Sequence, residues 1–230
     1  MNEPFFTIVL ILLSILFAAM ILKVLCNAGA KNSTLAIITI IFSCWLLIIF
    51  NLLLSGFFSA TGTPQVAFAI SVFMPVVFGL MAQKLSPTFA ATIANISTAS
   101  FLRLQQMRAA FGVMFFFTGS LPVWFQYTGG LGDIAAGITA FTALAYYQAH
   151  PKQEQKAIIR GNFTGILDFV VVLNLGLFVV LQNNSPDIMF SLIPLFAVPI
   201  FILLHIFSLQ KLPHFKNSLD SSPASNPVHF

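Results

Sequence analysis

Charge is scarce in this 230-residue chain, where only 7% of residues are Asp, Glu, Lys or Arg, against roughly 25% in an ordinary soluble domain. A fold surrounded by water could not hide the apolar surface that remains, because hydrophobic residues make up 58% of the chain and its mean hydropathy is +0.96. Cysteine is almost absent too. Cys26 and Cys44 form neither a disulfide framework nor a metal-ligand spacing, and both read as small apolar packing residues. There is no P-loop, His-Glu-x-x-His, Gly-x-Ser-x-Gly or Cys-x-x-Cys pattern. An enzyme is therefore the least supported class, and no cofactor or bound metal is expected. No lysine falls between Lys156 and Lys211, so the last two apolar segments lack the amine of a retinal Schiff base. His205 is the one histidine inside an apolar segment, too few for a bis-histidine haem.

Apolar residues are present in abundance, in seven stretches: 4–24, 34–57, 66–81, 107–125, 131–147, 161–181 and 189–208. Most approach the ~20 residues that cross ~30 Å of hydrocarbon, and the third and fifth are shorter. The basic residues sort cleanly among the connections. Lys23 and Lys31 follow the first span, Lys84, Arg103 and Arg108 lie before or at the start of the fourth, Lys152, Lys156 and Arg160 follow the fifth, and Lys211 and Lys216 follow the last. The alternate connections, 58–65, 126–130 and 182–188, carry none. The positive-inside rule then predicts an all-α bundle of seven transmembrane helices over residues 1–212, with the N-terminus outside and the C-terminus inside. Only Glu3 precedes the first apolar run, which lacks the basic n-region of a cleavable signal, so that run is expected to be a retained helix. The net charge of +4 is scattered at membrane ends, which fits anionic lipid rather than nucleic acid. The lipid bilayer is the expected partner.

Spans one to three are rich in Ile, Leu and Phe, whereas spans four to seven hold most of the Gly, Pro and intramembrane polar residues. Between them, residues 86–106 are too polar to span and read as a segment lying along the inner interface. Residues 213–230, with Ser and Asn clusters and three prolines, read as a disordered cytoplasmic tail. No internal repeat is evident.

Asp168 is the sharpest candidate for chemistry. It sits about two helical turns into span six, where an ionisable group is by default a functional hypothesis. It reads either as a charge partner or proton carrier, or as a structural group paired with Arg108 or Arg160. Asp133 follows Gly129-Gly130-Leu131-Gly132. Those glycines suit a tight turn, which would make Asp133 a helix-capping residue at the outer end of span five. With Ala136, Gly137 and Ala140 it could instead line a cleft. Pro122 is expected to kink or end span four, and Trp124 and Tyr127 suit the outer interface. Pro194 and Pro199 are expected to break the regular hydrogen bonding of span seven. His205, near the inner end of that span, reads as a packing residue or as a group reaching the level of Asp168 or Arg108.

Taken in order, Arg108-Ala-Ala-Phe-Gly112, Gly119-Ser-Leu-Pro122, Gly129-Gly-Leu-Gly-Asp133 with Gly137, Asn162-Phe-Thr-Gly165-Ile-Leu-Asp168, and Pro199 to His205 with Ser208-Leu209 resemble a family of uncharacterised bacterial multispan inner-membrane proteins. The resemblance implies a bacterial inner-membrane location and brings no activity with it. It gathers Arg108, Asp133, Asn162, Asp168 and His205 as candidate ligand-binding or ion-coupling residues. Two readings follow: a small-molecule or ion transporter or binding protein with a polar site among spans four to seven, and a noncatalytic scaffold or partner subunit whose polar residues only hold helices together. Oligomeric state and substrate stay open.

Overall fold

The computed structural model describes residues 3–59, 64–117, 121–176 and 191–212. Among them there is no strand, and eight α-helices follow one another: α1 (Glu3–Asn27), α2 (Asn32–Leu54), α3 (Pro64–Leu85), α4 (Pro87–Asn95), α5 (Thr98–Met114), α6 (Val123–Ala149), α7 (Glu154–Leu175) and α8 (Val198–Leu209). A π-turn at Ile193–Ala197 leads into α8. Four helical stretches are long and apolar enough to cross a membrane: Phe5–Asn27, Asn32–Leu54, Val66–Leu85 and Pro151–Leu175. At 1.5 Å per residue each covers about 30 Å or more, and the chain reads as a helical membrane protein. The tail expected at 213–230 lies outside the described residues, as do 177–181 and 189–190 at the ends of the sixth and seventh apolar stretches.

Local signals explain the helix ends. Gly29 adopts a φ of +88°, its N–H donates to Cys26 O at 3.0 Å, and Ala30 N–H donates to Leu25 O at 3.0 Å. That pair of bonds is a Schellman stop, which needs a left-handed residue and so favours glycine. Ser86 caps α4 by accepting from Phe89 N–H at 3.3 Å, with Pro87 in the first turn, where a missing N–H costs nothing. Ser97 caps α5 by accepting from Ser100 N–H at 3.1 Å.

These caps revise the expected boundaries. Residues 86–106 form α4 and the first half of α5, and Ile93, Ile96 and Phe101 are buried in the core. Span four was expected to begin at Met107 because Gln105, Gln106 and Arg108 depress hydropathy there, yet the helix begins at Thr98. The helix expected to start near Leu131 begins at Val123, straight after Pro122. Trp124 and Tyr127 therefore stand in the first turns of α6 and not at the end of the preceding helix.

The core is aromatic where α1, α5 and α8 meet. Phe17 lies 4.6 Å from Phe201 and 5.7 Å from Phe111, centroid to centroid, and the last two lie 5.8 Å apart. Along α5 and α6 the contact is closer. A Cβ on Gly112 would stand 2.7 Å from Gly130 O, and one on Gly137 would stand 2.7 Å from Ala109 N, so the two backbones approach as only glycines permit. By contrast α2 is peripheral, with Ile49 its one buried residue. Cys26 and Cys44, read as small apolar packing residues, are both exposed at the surface of α1 and α2, alongside large apolar side chains such as Ile40, Ile41 and Leu47.

One end of the assembly is polar. There Thr98 Oγ1 donates to Glu154, Lys211 Nζ donates to Ala94 O at 3.2 Å, and Gln83 Nε2 donates to Gln210 Oε1 at 2.7 Å. These bonds bring the start of α5, the start of α7, the end of α3 and the end of α8 to the same level.

Candidate functional site

Arg108 is fully buried. Ten residues after the start of α5, it lies about 15 Å along the helix axis, on the inward face with Phe101, Leu104, Gln105, Phe111 and Gly112. It is thus not one of the end-of-span basic residues, where the sequence reading had placed it. Its Nε donates to Asp133 Oδ1 at 2.7 Å, and Nη2 lies 2.6 Å from the same oxygen. Nη2 also pairs with Asp168 Oδ2. Nη1 donates to the backbone carbonyl of Gly165 at 2.8 Å and faces His205 Nε2 at 3.5 Å. The face of the guanidinium covers the Phe169 ring, 3.9 Å from its centroid. Every nitrogen is engaged, and the π-face adds attraction in a dry setting.

Asp133 is not a helix cap. It is buried in the interior of α6, and Gly129, Gly130 and Gly132 belong to the same continuous helix. Their shared property, the missing side chain, serves proximity and not a turn. A Cβ on Gly130 would meet Phe116 at 2.8 Å and Gly112 O at 2.9 Å, while one on Gly132 would collide with the Asp168 carboxylate. Gly165 plays the same part on α7, where a Cβ would stand 2.6 Å from His205 Nε2 and 2.7 Å from Arg108 Nη1. Small residues on three helices thus let one guanidinium meet two carboxylates and a carbonyl.

His205 belongs to an adjoining group. Its Nδ1 lies 2.7 Å from Asn162 Oδ1. The Asn162 amide is oriented by its other bonds, Nδ2 donating to Ile158 O at 2.7 Å and to Ser208 Oγ at 3.1 Å. With Oδ1 fixed toward the imidazole, the network assigns the proton to Nδ1 and leaves the Nε2 lone pair facing Arg108. Gln105 Nε2 donates to Asn162 Oδ1 at 3.3 Å, and its Oε1 is buried with no hydrogen-bond partner among the described residues.

All five sequence candidates, Arg108, Asp133, Asn162, Asp168 and His205, therefore come together. Arg160 does not join them; its guanidinium carbon sits 4.2 Å from the centroid of the Tyr146 ring. Gln105, Ser208, Phe169 and the Gly165 carbonyl were not foreseen. Gln105 and Ser208 each stand three residues from a candidate, Arg108 and His205 respectively, and helical neighbours at that spacing share a face. That signal could have found them.

A cavity of about 30 Å³ adjoins the ion cluster. Asp133 and Asp168 supply its polar wall, and Phe68, Val72, Phe115 and Phe125 are among its apolar walls. Those aromatic and aliphatic groups belong to the end of the assembly opposite Thr98, Glu154 and Lys211.

Residues 65–213 match the domain of unknown function DUF8737. No curated protein and no solved structure matches the chain. The matched region starts at the head of α3 and takes in every residue of the polar cluster, and the chain belongs to the DUF8737 family.

Proposed function

We propose that this is a seven-span bacterial inner-membrane protein that binds or transports a small molecule or ion at the Arg108–Asp133–Asp168 cluster. In this reading the spans are α1, α2, α3, α5, α6, α7 and α8, and α4 is a short cytoplasmic link. The orientation rests on charge. Lys23, Lys31, Lys84, Arg103, Lys152, Lys156, Arg160 and Lys211 fall at the same ends of successive helices as the Thr98–Glu154 and Lys211–Ala94 bonds, and that end is cytoplasmic.

The observation that carries the reading is an ion cluster built from three helices, with both carboxylates on the wall of a cavity. Charges this deep in a membrane protein cost several kcal/mol each in desolvation. Helix packing alone could be met by apolar contacts. Asp133 and Asp168 contact the ligand, Arg108 sets their spacing and charge, and Asn162 with His205 closes the cytoplasmic side. Alternating access would open that side by a shift of α7 and α8 about Gly165 and the π-turn.

The rival reading, a scaffold or partner subunit locked by the same ion pairs, predicts a different pattern. The test is mass spectrometry of small molecules retained by the gently purified protein, with flux measured after reconstitution, for wild type and Asp168→Asn. A solute retained or moved by wild type and lost in a folded Asp168→Asn protein is the expected result. No solute with either protein, together with a less stable variant, would leave the scaffold reading.

A further inference from the structure

We infer that Asp133 and Asp168 together hold one proton beside Arg108. The inference rests on the binding reading above and names its ligand.

Charge is the first argument. One guanidinium against two ionised carboxylates leaves the cluster with a single negative charge in excess, deep among apolar walls where uncompensated charge is costly. The groups that face the pair can be named helix by helix. From α5 comes Arg108, already counted. From α8 comes His205, whose lone pair and not a proton points toward Arg108. From α3 come Phe68 and Val72, and from α7 Phe169, Val172 and Leu173. None of these supplies a second positive charge.

The second argument is the character of the open atoms. Every Arg108 nitrogen is engaged by protein, so an anionic group would find no donor there. Asp133 Oδ2 and Asp168 Oδ1 accept from no side chain among the described residues. The site therefore offers acceptors, and its ligand must be a cation or a donor.

Size is the third. The cavity of about 30 Å³ has room for water-sized groups, and its lining offers two carboxylates among apolar side chains, too few oxygens for a bound metal ion. Charge balance asks for one unit only, and among the described residues no third His, Cys, Asp or Glu completes a multi-ligand metal site, as a divalent ion would need.

The test uses the full chain in lipid nanodiscs. One arm lowers the pH from mildly alkaline to mildly acidic in choline chloride. The other replaces choline by lithium, sodium or potassium at fixed alkaline pH and fixed ionic strength. Thermal unfolding and infrared difference spectra of the carboxyl region are read in both arms. The expected result is an upward shift of the unfolding temperature in the acid arm, as binding to the folded state requires, lost in Asp133→Asn and in Asp168→Asn. Gain of a protonated-carboxyl band in the acid arm is the expected sign of the shared proton; a shift of the carboxylate bands with an alkali ion and no such band would overturn the inference. If the Asn variants fail to fold, the wild-type infrared spectrum decides alone, and no carboxyl change in either arm overturns the inference. A retained solute lost in Asp168→Asn, with no cation response in wild type, would also overturn it while leaving the binding reading intact.

Discussion

The indole Nε1 of Trp45 donates to the carbonyl oxygen of Leu195 at 2.9 Å, across 150 positions of sequence, and Pro199 explains why that oxygen is available. Four residues beyond Leu195, Pro199 has no N–H to return along the helix, and the π-turn at Ile193–Ala197 widens the same stretch. The peripheral α2 is thereby tied to the broken segment that leads to His205. Trp45→Phe is expected to cost about 1 kcal/mol. Pro199→Ala should offset part of that loss by restoring a backbone donor, and a double-mutant cycle on unfolding free energies measures the coupling.

The two carboxylates share one guanidinium, so their removal should not be additive. Asp133→Asn or Asp168→Asn leaves Arg108 one counter-ion, and each is expected to cost less than the ~3–5 kcal/mol typical of stripping a buried ion of its partner. The double variant leaves Arg108 bare and should cost more than the sum of the two. Unfolding of the three variants in one detergent decides it; strict additivity would mean that the carboxylates act independently.

Glycine substitutions should divide by what a Cβ meets. Gly112→Ala would press on Gly130 O at 2.7 Å and Ile134 N at 2.9 Å, backbone atoms that cannot swing aside, and overpacking of this kind costs about 1–3 kcal/mol. Among the described residues Gly176→Ala meets only Phe125 Cζ at 3.5 Å, an ordinary contact, and should be close to neutral. Thermal unfolding of the two variants side by side checks the contrast.

Gly132→Ala should act on the site selectively. Its new methyl would occupy the place of the Asp168 carboxylate, pushing that group from Arg108 while Asp133 keeps its bond. The expected outcome is a folded protein with loss of ligand retention. Unchanged retention would show that the position of Asp168 is not critical.

At the polar end, burial of Lys211 lowers its pKa from the usual 10.5, an effect only partly opposed by nearby Glu154. A lysine whose folded pKa is depressed is charged at a cost below that pKa, and the unfolded chain binds its proton more tightly. Stability should therefore rise with pH as the side chain discharges, up to about 10.5. The rise should shrink in Lys211→Gln, as pH-dependent unfolding would report.

Much of the helical pattern was legible because α1, α2 and α3 are apolar almost throughout. Hydropathy fails at α5 for a physical reason: Gln105 and Arg108 point inward, where other protein groups and not lipid receive them. The Gly129–Gly132 run was ambiguous, since a missing side chain serves a tight turn or a close helix crossing equally well. Only the partner helix, with Gly112 facing Gly130, resolves it. Asp168 could be named from its depth and type, and its pairing with Arg108 was one of two readings, but Arg108 itself was counted at a span end and its depth was missed. The Trp45–Leu195 bond had no local signature, because its donor and acceptor meet only when α2 folds against the π-turn.

The burial of Arg108 also constrains how the chain enters the bilayer. In the seven-span reading Arg108 is centred in hydrocarbon, where an arginine opposes insertion of a lone helix by roughly 2.5–3.5 kcal/mol on translocon scales, and Gln105 and Gln106 add to the resistance. Asp133, carried by the next helix, is the first counter-ion to be synthesised. The expected consequence is that α5 and α6 integrate as a hairpin. A nascent chain truncated after α5 should remain accessible to aqueous labelling at Gln106, and one extended through Ala149 should not. Biogenesis would then depend on the same ion pair that later shapes the site.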